Sequence, residues 1–400
     1  MIKKSIVCIA LLLAVLLMLC SCDHCVKEPV ISISAGVMDP PAPSGDDPAW
    51  PGLNAEQQSD VSRDEKYDAV FLNVSIEDFL NAGFRFGDSC DVTFSNGLSL
   101  EDIPFYNGYY VRSGDPLIVG YPGYKFIAVT CNNQGLWSRS GLKNGDNATV
   151  TLREEGKYLS VQEALSQSYS NDRGEYADDA TFANFRPLRG GRIKPGLLYR
   201  GASPVDSSKN RAPYANALLA ENGIGFILDL ADSEEDLAGY VREEGFCSDY
   251  AKALYDKGCM ALLSMSSSYG SDTYKQKLAS GLRQMLGAAG KIYVHCLEGK
   301  DRTGFVCILL EALSGASYDE MLSDYMITYD NYYHVTQDSA PEKYDAIVDL
   351  YFNAFAAYLH GTEDLAALKA ADYTQDAENY LLSGGMTSEE IKALRALITE

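Results

Sequence analysis

The stretch KIYVHCLEGKDRTGFVCILLEAL, Lys291–Leu313, decides the fold of this chain. KIYVH reads as a short buried strand, and FVCILLEAL is an apolar run of helical length. Between them lies Cys296-Leu297-Glu298-Gly299-Lys300-Asp301-Arg302, small and charged residues that suit neither element. A strand that feeds a helix through so tight a loop points several backbone N–H groups into one concavity. The helix dipole adds positive potential there, so the loop from Leu297 to Arg302 is an expected anion seat. Arg302 brings a planar fork able to grip two phosphate oxygens. The same surroundings are expected to favour the thiolate of Cys296, a nucleophile in line with a held phosphorus. Thr303 opens the helix, where its hydroxyl can hydrogen-bond the sulfur, and His295 is expected to orient the loop rather than move protons.

Working outward, strands and helices alternate from about residue 156. GFILDL (225–230) and MALLSM (260–265) read as further buried strands; 274–289, 317–333 and 343–359 carry helical patterns. The alternation implies an α/β domain over 156–400 with a central, mostly parallel sheet flanked by helices. Thr387 and Glu390 make a capping box that opens a last amphipathic helix.

HCLEGKDRTG resembles the CX5R signature of the cysteine-dependent tyrosine phosphatase superfamily, in its bacterial branch with HCxxGKDRTG loops. The resemblance spans roughly residues 160–400. It includes FANFRPLRGGRIKPGLLYRGASP (Phe182–Pro204), GIGFILDLADSEEDL (Gly223–Leu237) and SYDEMLSDYM after the signature helix. Where many relatives read Asp-Leu-Arg, this chain has Asp229-Leu230-Ala231. The resemblance implies a phosphomonoester hydrolase of the tyrosine or dual-specificity type, working through a phosphocysteine with no metal or other cofactor. An inositol phosphate or phosphoinositide phosphatase with a similar loop is an alternative, as is a surface binding protein without turnover.

The leaving oxygen needs a proton from a carboxylic acid. Asp232, just past GFILDL where α/β active sites gather, and Asp301, inside the loop, are the two candidates; Asp229 reads as structural. Lys300 adds a second cation. Arg186, Arg189, Arg192 and Lys194 cluster in RPLRGGRIK, a candidate positive funnel in a chain of formal charge -23. That net charge excludes nucleic acid as a default partner, because phosphate backbones need basic stripes.

Upstream, residues 65–155 hold short β-rich runs broken by Gly, Pro, Asn and Asp, the pattern of a small all-β sandwich or barrel. GYYVRSG (108–114) is among the expected strands, IEDFLNAGF is an expected short helix, and the aromatics of Phe105–Tyr110 are expected to pack within strands. FGDSCDVTF (Phe86–Phe94) resembles the small β-barrel that follows the catalytic domain in hydroxide adenosyltransferases. Residues 23–64, rich in Pro, Gly, Asp and Ser, read as a flexible linker. Before them, MIKK and an apolar run end in LCSC. This resembles a bacterial lipoprotein signal peptide over 1–22, with Cys22 as the acylated residue. An exported chain tethered to a membrane by lipid is the expectation. Of ten cysteines, Cys259 and Cys307 are candidates to shelter Cys296 as a reversible disulfide.

Overall fold

The computed structural model describes residues 31–38 and 68–400, apart from 123 and 133. The expected signal peptide, Cys22 and most of the expected linker lie outside the described residues. Two bodies of different texture follow one another along the chain.

The first is a closed barrel of seven strands: β1 (Ser32–Met38), β2 (Val70–Ser75), β3 (Ser89–Phe94), β4 (Ser99–Tyr106), β5 (Pro116–Val119), β6 (Phe126–Cys131) and β7 (Asn147–Glu154). The order around the barrel is β1-β2-β6-β5-β4-β3-β7. Alternate residues such as Val70, Leu72, Val92, Phe105, Ile118 and Val129 fill its interior, as the period of two demands. The expectation of an all-β module needs correction, since short helices at Ile76–Asn81 and Trp137–Ser140 are built into it. Part of the expected linker is a strand. Ser32–Met38 pairs with β7 from Ser32↔Thr151 to Gly36↔Asn147 and with β2 at Val37↔Leu72, closing the barrel. GYYVRSG is not a strand. β4 and β5 run parallel, so the chain must cross from one end of the barrel to the other, and residues 107–115 make that crossing.

The second body is a five-stranded sheet in the order β11-β10-β12-β9-β8, with β8 (Arg186–Pro187), β9 (Leu198–Gly201), β10 (Ile224–Asp229), β11 (Met260–Leu262) and β12 (Lys291–His295). All pairs are parallel except the edge pair β8–β9, so the sheet is mostly parallel as expected. Ile292 and Val294 face one core, beside Leu278, Leu282 and the apolar length of helix Asp301–Leu313. Tyr293 faces the other, with Ala215, Leu219, Leu237 and Leu254. Strands buried on both faces read as continuous apolar runs, which is why they are visible in the sequence. Each buried Leu, Ile or Val contributes about 1.5–3 kcal/mol. Helix Asp301–Leu313 is buried from Thr303 to Leu313, a rigid post at the centre of the domain. The expected helix over 343–359 is interrupted: Pro341–Ile347 and Asn353–His360 are joined by a π-helical turn, Val348–Phe352. No helix among the described residues is long and apolar enough to cross a membrane.

Candidate active site

Because four of the strands are parallel, their C-terminal ends share one edge of the sheet, where α/β folds gather their chemistry. Cys296 follows β12 directly and is buried, with 4 % of its surface exposed. The loop then turns through residues 297–300 into the helix that begins at Asp301.

The loop is held from behind by its carbonyl groups. Ser203 N–H donates to Leu297 O (3.0 Å) and Tyr332 O–H to Glu298 O (2.7 Å). Gly299 O accepts from Asn184 Nδ2 (3.2 Å) and Arg200 Nη2 (3.0 Å). A planar peptide carries its N–H opposite its C=O, so carbonyls fixed behind the loop turn amides toward the cup. Gly299 is required by its surroundings. Its φ is +67°, and a Cβ there would stand 2.3 Å from the carbonyl carbon and oxygen of Gly201.

The supporting donors are themselves locked. Asn184 and Arg200 are wholly buried. Asp324 accepts from Arg186 Nε (2.9 Å) and from Arg200 Nη1 (2.5 Å), while Arg186 Nη1 donates to Asn184 Oδ1 (2.6 Å). The two guanidiniums beside Asp324 hold its carboxyl below the usual range although its burial opposes this. Arg186 is thus a brace behind the loop rather than part of a funnel. Lys194 is also committed elsewhere, its ammonium donating to the carbonyls of Ala396 and Leu397 at the end of the last helix. Arg189 and Arg192 are exposed, and none of the four lines the cavity over the loop. Sequence reasoning placed Asn184, Arg200 and Asp324 in no role: each is an ordinary polar residue until the fold brings it under the loop.

Of the expected phosphate-binding residues, Leu297 and Glu298 are half-buried and Gly299 is buried. The Glu298 side chain turns away to accept from the Tyr169 hydroxyl. Lys300, Asp301 and Arg302 line a cavity of about 550 Å3 above the loop. Arg302 Nη1 donates to Met265 O (3.0 Å) in the loop after β11, leaving its other donors uncommitted. Lys300 Nζ lies 3.4 Å from Asp301 Oδ1. Thr303 is fully buried, and its hydroxyl makes no hydrogen bond, so it is not engaged with the Cys296 sulfur as expected.

The two acid candidates stand in contrasting settings. Asp301 is exposed, at the mouth of the loop and beside Lys300. Asp232 is 5 % exposed. Leu230 N–H bonds His295 O (2.9 Å), so Asp232, two residues on, leaves the sheet beside the start of the loop. Its Oδ1 accepts from Tyr240 O–H (3.2 Å), and its Oδ2 has no partner. Burial, then the neighbouring Asp229 carboxylate, push the Asp232 carboxyl up to about 8. Asp229 accepts the N–H groups of Ala231 and Asp232 on Oδ1, bracing the turn in the structural role expected of it. Its Oδ2 lies 3.7 Å from His295 Nε2. Burial lowers the His295 ring to about 4, so it is neutral, with Nδ1 3.2 Å from Cys296 O.

The barrel supplies the opposite wall of the cavity. Tyr109 and Tyr110 from the 107–115 crossing, and Tyr121 and Tyr124 from the β5–β6 connection, line it. Phe105 and Tyr106 are buried in the barrel as expected of strand residues, but Tyr109 and Tyr110 are not strand residues at all. No sequence signal distinguishes them, since only the crossing carries them over the loop.

Comparison with known proteins bears on the whole. No curated protein matches the chain. Among solved structures, an uncharacterized conserved protein from Thermotoga maritima matches 22 % of this chain and 33 % of its own, with 17 % identity and a TM-score of 0.20. The chain thus spans about a third of that protein. The tyrosine phosphatase family model matches residues 180–400, more than half of the chain, and takes in the whole loop from Cys296 to Arg302 with the braces beneath it: this protein belongs to the tyrosine phosphatase family.

Proposed function

We propose that the protein hydrolyses phosphotyrosine in proteins through a phosphocysteine at Cys296. The observation that carries this reading is the cup: a buried cysteine at the end of β12, beneath a loop whose Leu297, Glu298 and Gly299 carbonyls are drawn to the far side. The Cys296 thiolate attacks phosphorus as the bond to the tyrosyl oxygen breaks. The loop amides of Leu297 to Arg302 and the Arg302 guanidinium stabilise the three equatorial oxygens, where charge gathers in the transition state. Asp232 gives its proton to the departing oxygen, releasing the free tyrosine hydroxyl. As a carboxylate it then takes a proton from water. That water attacks phosphorus, the S–P bond breaks, and inorganic phosphate leaves.

One fact favours Asp232 over Asp301 as the acid: a buried carboxyl whose pKa is raised is protonated at neutral pH, as a donor must be. Asp301, exposed beside Lys300 on the wall of the cavity, is the second candidate. Thr303, in the first turn of the helix, is assigned the support of the leaving sulfur, which requires its unengaged hydroxyl to turn toward Cys296. The reading also includes export and a lipid tether at Cys22, supported by the leader MIKK…LCSC.

Replacement of the nucleophile tests the chemistry. Cys296→Ser is expected to abolish release of phosphate from a phosphotyrosine peptide while still binding inorganic phosphate. Hydrolysis at the wild-type rate by that variant would end the proposal.

A further inference from the structure

The cavity over the loop does not end at the barrel's tyrosines. A second cavity of about 720 Å3 shares Ser113, Gln134, Ser268, Tyr269 and Ala354 with it. The two form one trough running outward between the 107–115 crossing and the helices that follow the π-turn. A single cavity of about 300–1,000 Å3 takes a drug-sized group, so the inner one already exceeds the needs of one phosphorylated side chain. The outer one has an apolar floor of Ala357, Tyr358, Leu365 and Leu368, with Tyr358 and Leu365 exposed. Asp349 and Glu363 stand on its rim. Arg112 of the crossing reaches across to both, with Nη2 2.9 Å from Asp349 and Nη1 3.3 Å from Glu363.

We infer, resting on the phosphotyrosine reading above, that this outer cavity is a subsite for the polypeptide flanking the phosphotyrosine, and that it selects a lysine or arginine together with an apolar residue. Three features point to a peptide. The junction of the two cavities is lined by polar side chains, Ser113, Gln134 and Ser268, suited to backbone N–H and C=O groups. The floor is apolar and takes a side chain. The rim carries two carboxylates against one guanidinium, so it keeps one net negative charge that a substrate cation can neutralise. Phospholipid fits less well: its acyl chains would have to pass that polar junction, and its phosphodiester would meet Asp349 and Glu363 in a chain of charge -23. The barrel is then part of the substrate site, setting KM by the outer cavity and leaving the chemistry to the loop.

The experiment compares kcat/KM of the full chain on four probes: free phosphotyrosine, a phosphotyrosine peptide flanked by lysine and leucine, the same peptide with glutamate in place of lysine, and micellar phosphoinositide. The lysine peptide is expected to exceed free phosphotyrosine and the glutamate peptide by at least about tenfold. Glu363→Lys and Leu365→Ser, both on exposed positions of the outer cavity, are expected to erase most of that advantage through KM. Their rates on free phosphotyrosine should equal wild type, which also shows that they fold. Equal kcat/KM on all three tyrosine probes, or variants without effect on the peptide, would overturn the subsite while leaving the phosphatase reading intact. A preference for phosphoinositide that falls with Leu365→Ser would overturn it in favour of acyl chains. No hydrolysis of any of the three tyrosine probes by wild type would remove the phosphotyrosine reading, and the subsite with it.

Discussion

At the scale of single residues, the acid role proposed for Asp232 rests on its surroundings. It is nearly buried, beside a second carboxylate, with one oxygen unpartnered. Each of these favours the neutral form. The acid is therefore loaded at neutral pH, and the rate on phosphotyrosine is expected to fall as pH rises through about 8. Asp232→Asn should remove that basic limb and slow phosphotyrosine hydrolysis by about 10²–10⁴-fold. A substrate with an activated phenol, which needs no proton, should lose far less; an equal loss on both would show that Asp232 does not donate the proton. Stability carries the same signature. A carboxyl whose folded value is raised contributes stability that is complete below its ordinary range near 4 and is lost as pH climbs through about 8. Asp232→Asn is thus expected to raise Tm relative to wild type at pH 8 and not at pH 4, as differential scanning calorimetry would read.

At the scale of elements, the loop and its helix depend on one backbone conformation. Gly299 holds φ at +67° against the Gly201 carbonyl, which no side chain can share. Gly299→Ala is expected to cost about 1–3 kcal/mol from the backbone alone. It should lower Tm by several degrees and abolish phosphate binding, as titration calorimetry would report; a variant that binds phosphate normally would contradict this account. Strand geometry likewise rules on the cysteines. Cys259 precedes β11, and the register Met260↔Ile227↔Tyr293 places it near Ile292, four residues below Cys296. At about 3.3 Å per residue that is roughly 13 Å along the strands, with β10 in between. Cys307 lies six residues into its helix, about 9 Å along the axis, and burial pushes its thiol up to about 12. A disulfide needs Cα atoms within about 7 Å. Cys259 is therefore out of reach of Cys296, and Cys259, Cys296 and Cys307 are all free. Mild peroxide should therefore yield oxidised Cys296 with no intrachain bridge to Cys259 or Cys307 on peptide mass mapping.

At the scale of the whole molecule, the barrel and the sheet meet over the loop from Cys296 to Arg302. The parallel β4–β5 pair forces a crossing, and the crossing delivers Tyr109, Tyr110 and Arg112 to the site. The ion pairs of Arg112 with Asp349 and Glu363 are partly exposed, so they hold little stability by themselves, about 0–1 kcal/mol each. Their place across the trough matters more than their strength. The proposed tether belongs to this scale too. A tethered enzyme meets its substrates at a membrane surface, and Cys22→Ala is expected to abolish incorporation of labelled fatty acid and to release the protein from the membrane fraction. Persistent labelling of that variant would remove Cys22 as the lipid site.

The parts of this protein written in local chemistry were legible in the chain itself. HCLEGKDRTG, the buried runs of β10 and β12, and the Thr387–Glu390 capping box, which the structure forms, each depend on neighbours a few residues away. What the chain did not disclose depends on contacts between distant segments. Ser32–Met38 looks like linker because its pairing strand, β7, is more than a hundred residues away. GYYVRSG has strand-like composition, but the closure of the barrel makes it a crossing. The basic run at 186–194 looks like a funnel, yet Arg186 is drawn inward by Asp324. Asp232 and Asp301 are equal on paper, and burial beside Asp229 is what sets Asp232 apart in the proposed acid role. Side-chain identity and local spacing set the loop signature and the elements around it; dielectric, register and approach between remote residues are properties of the folded volume.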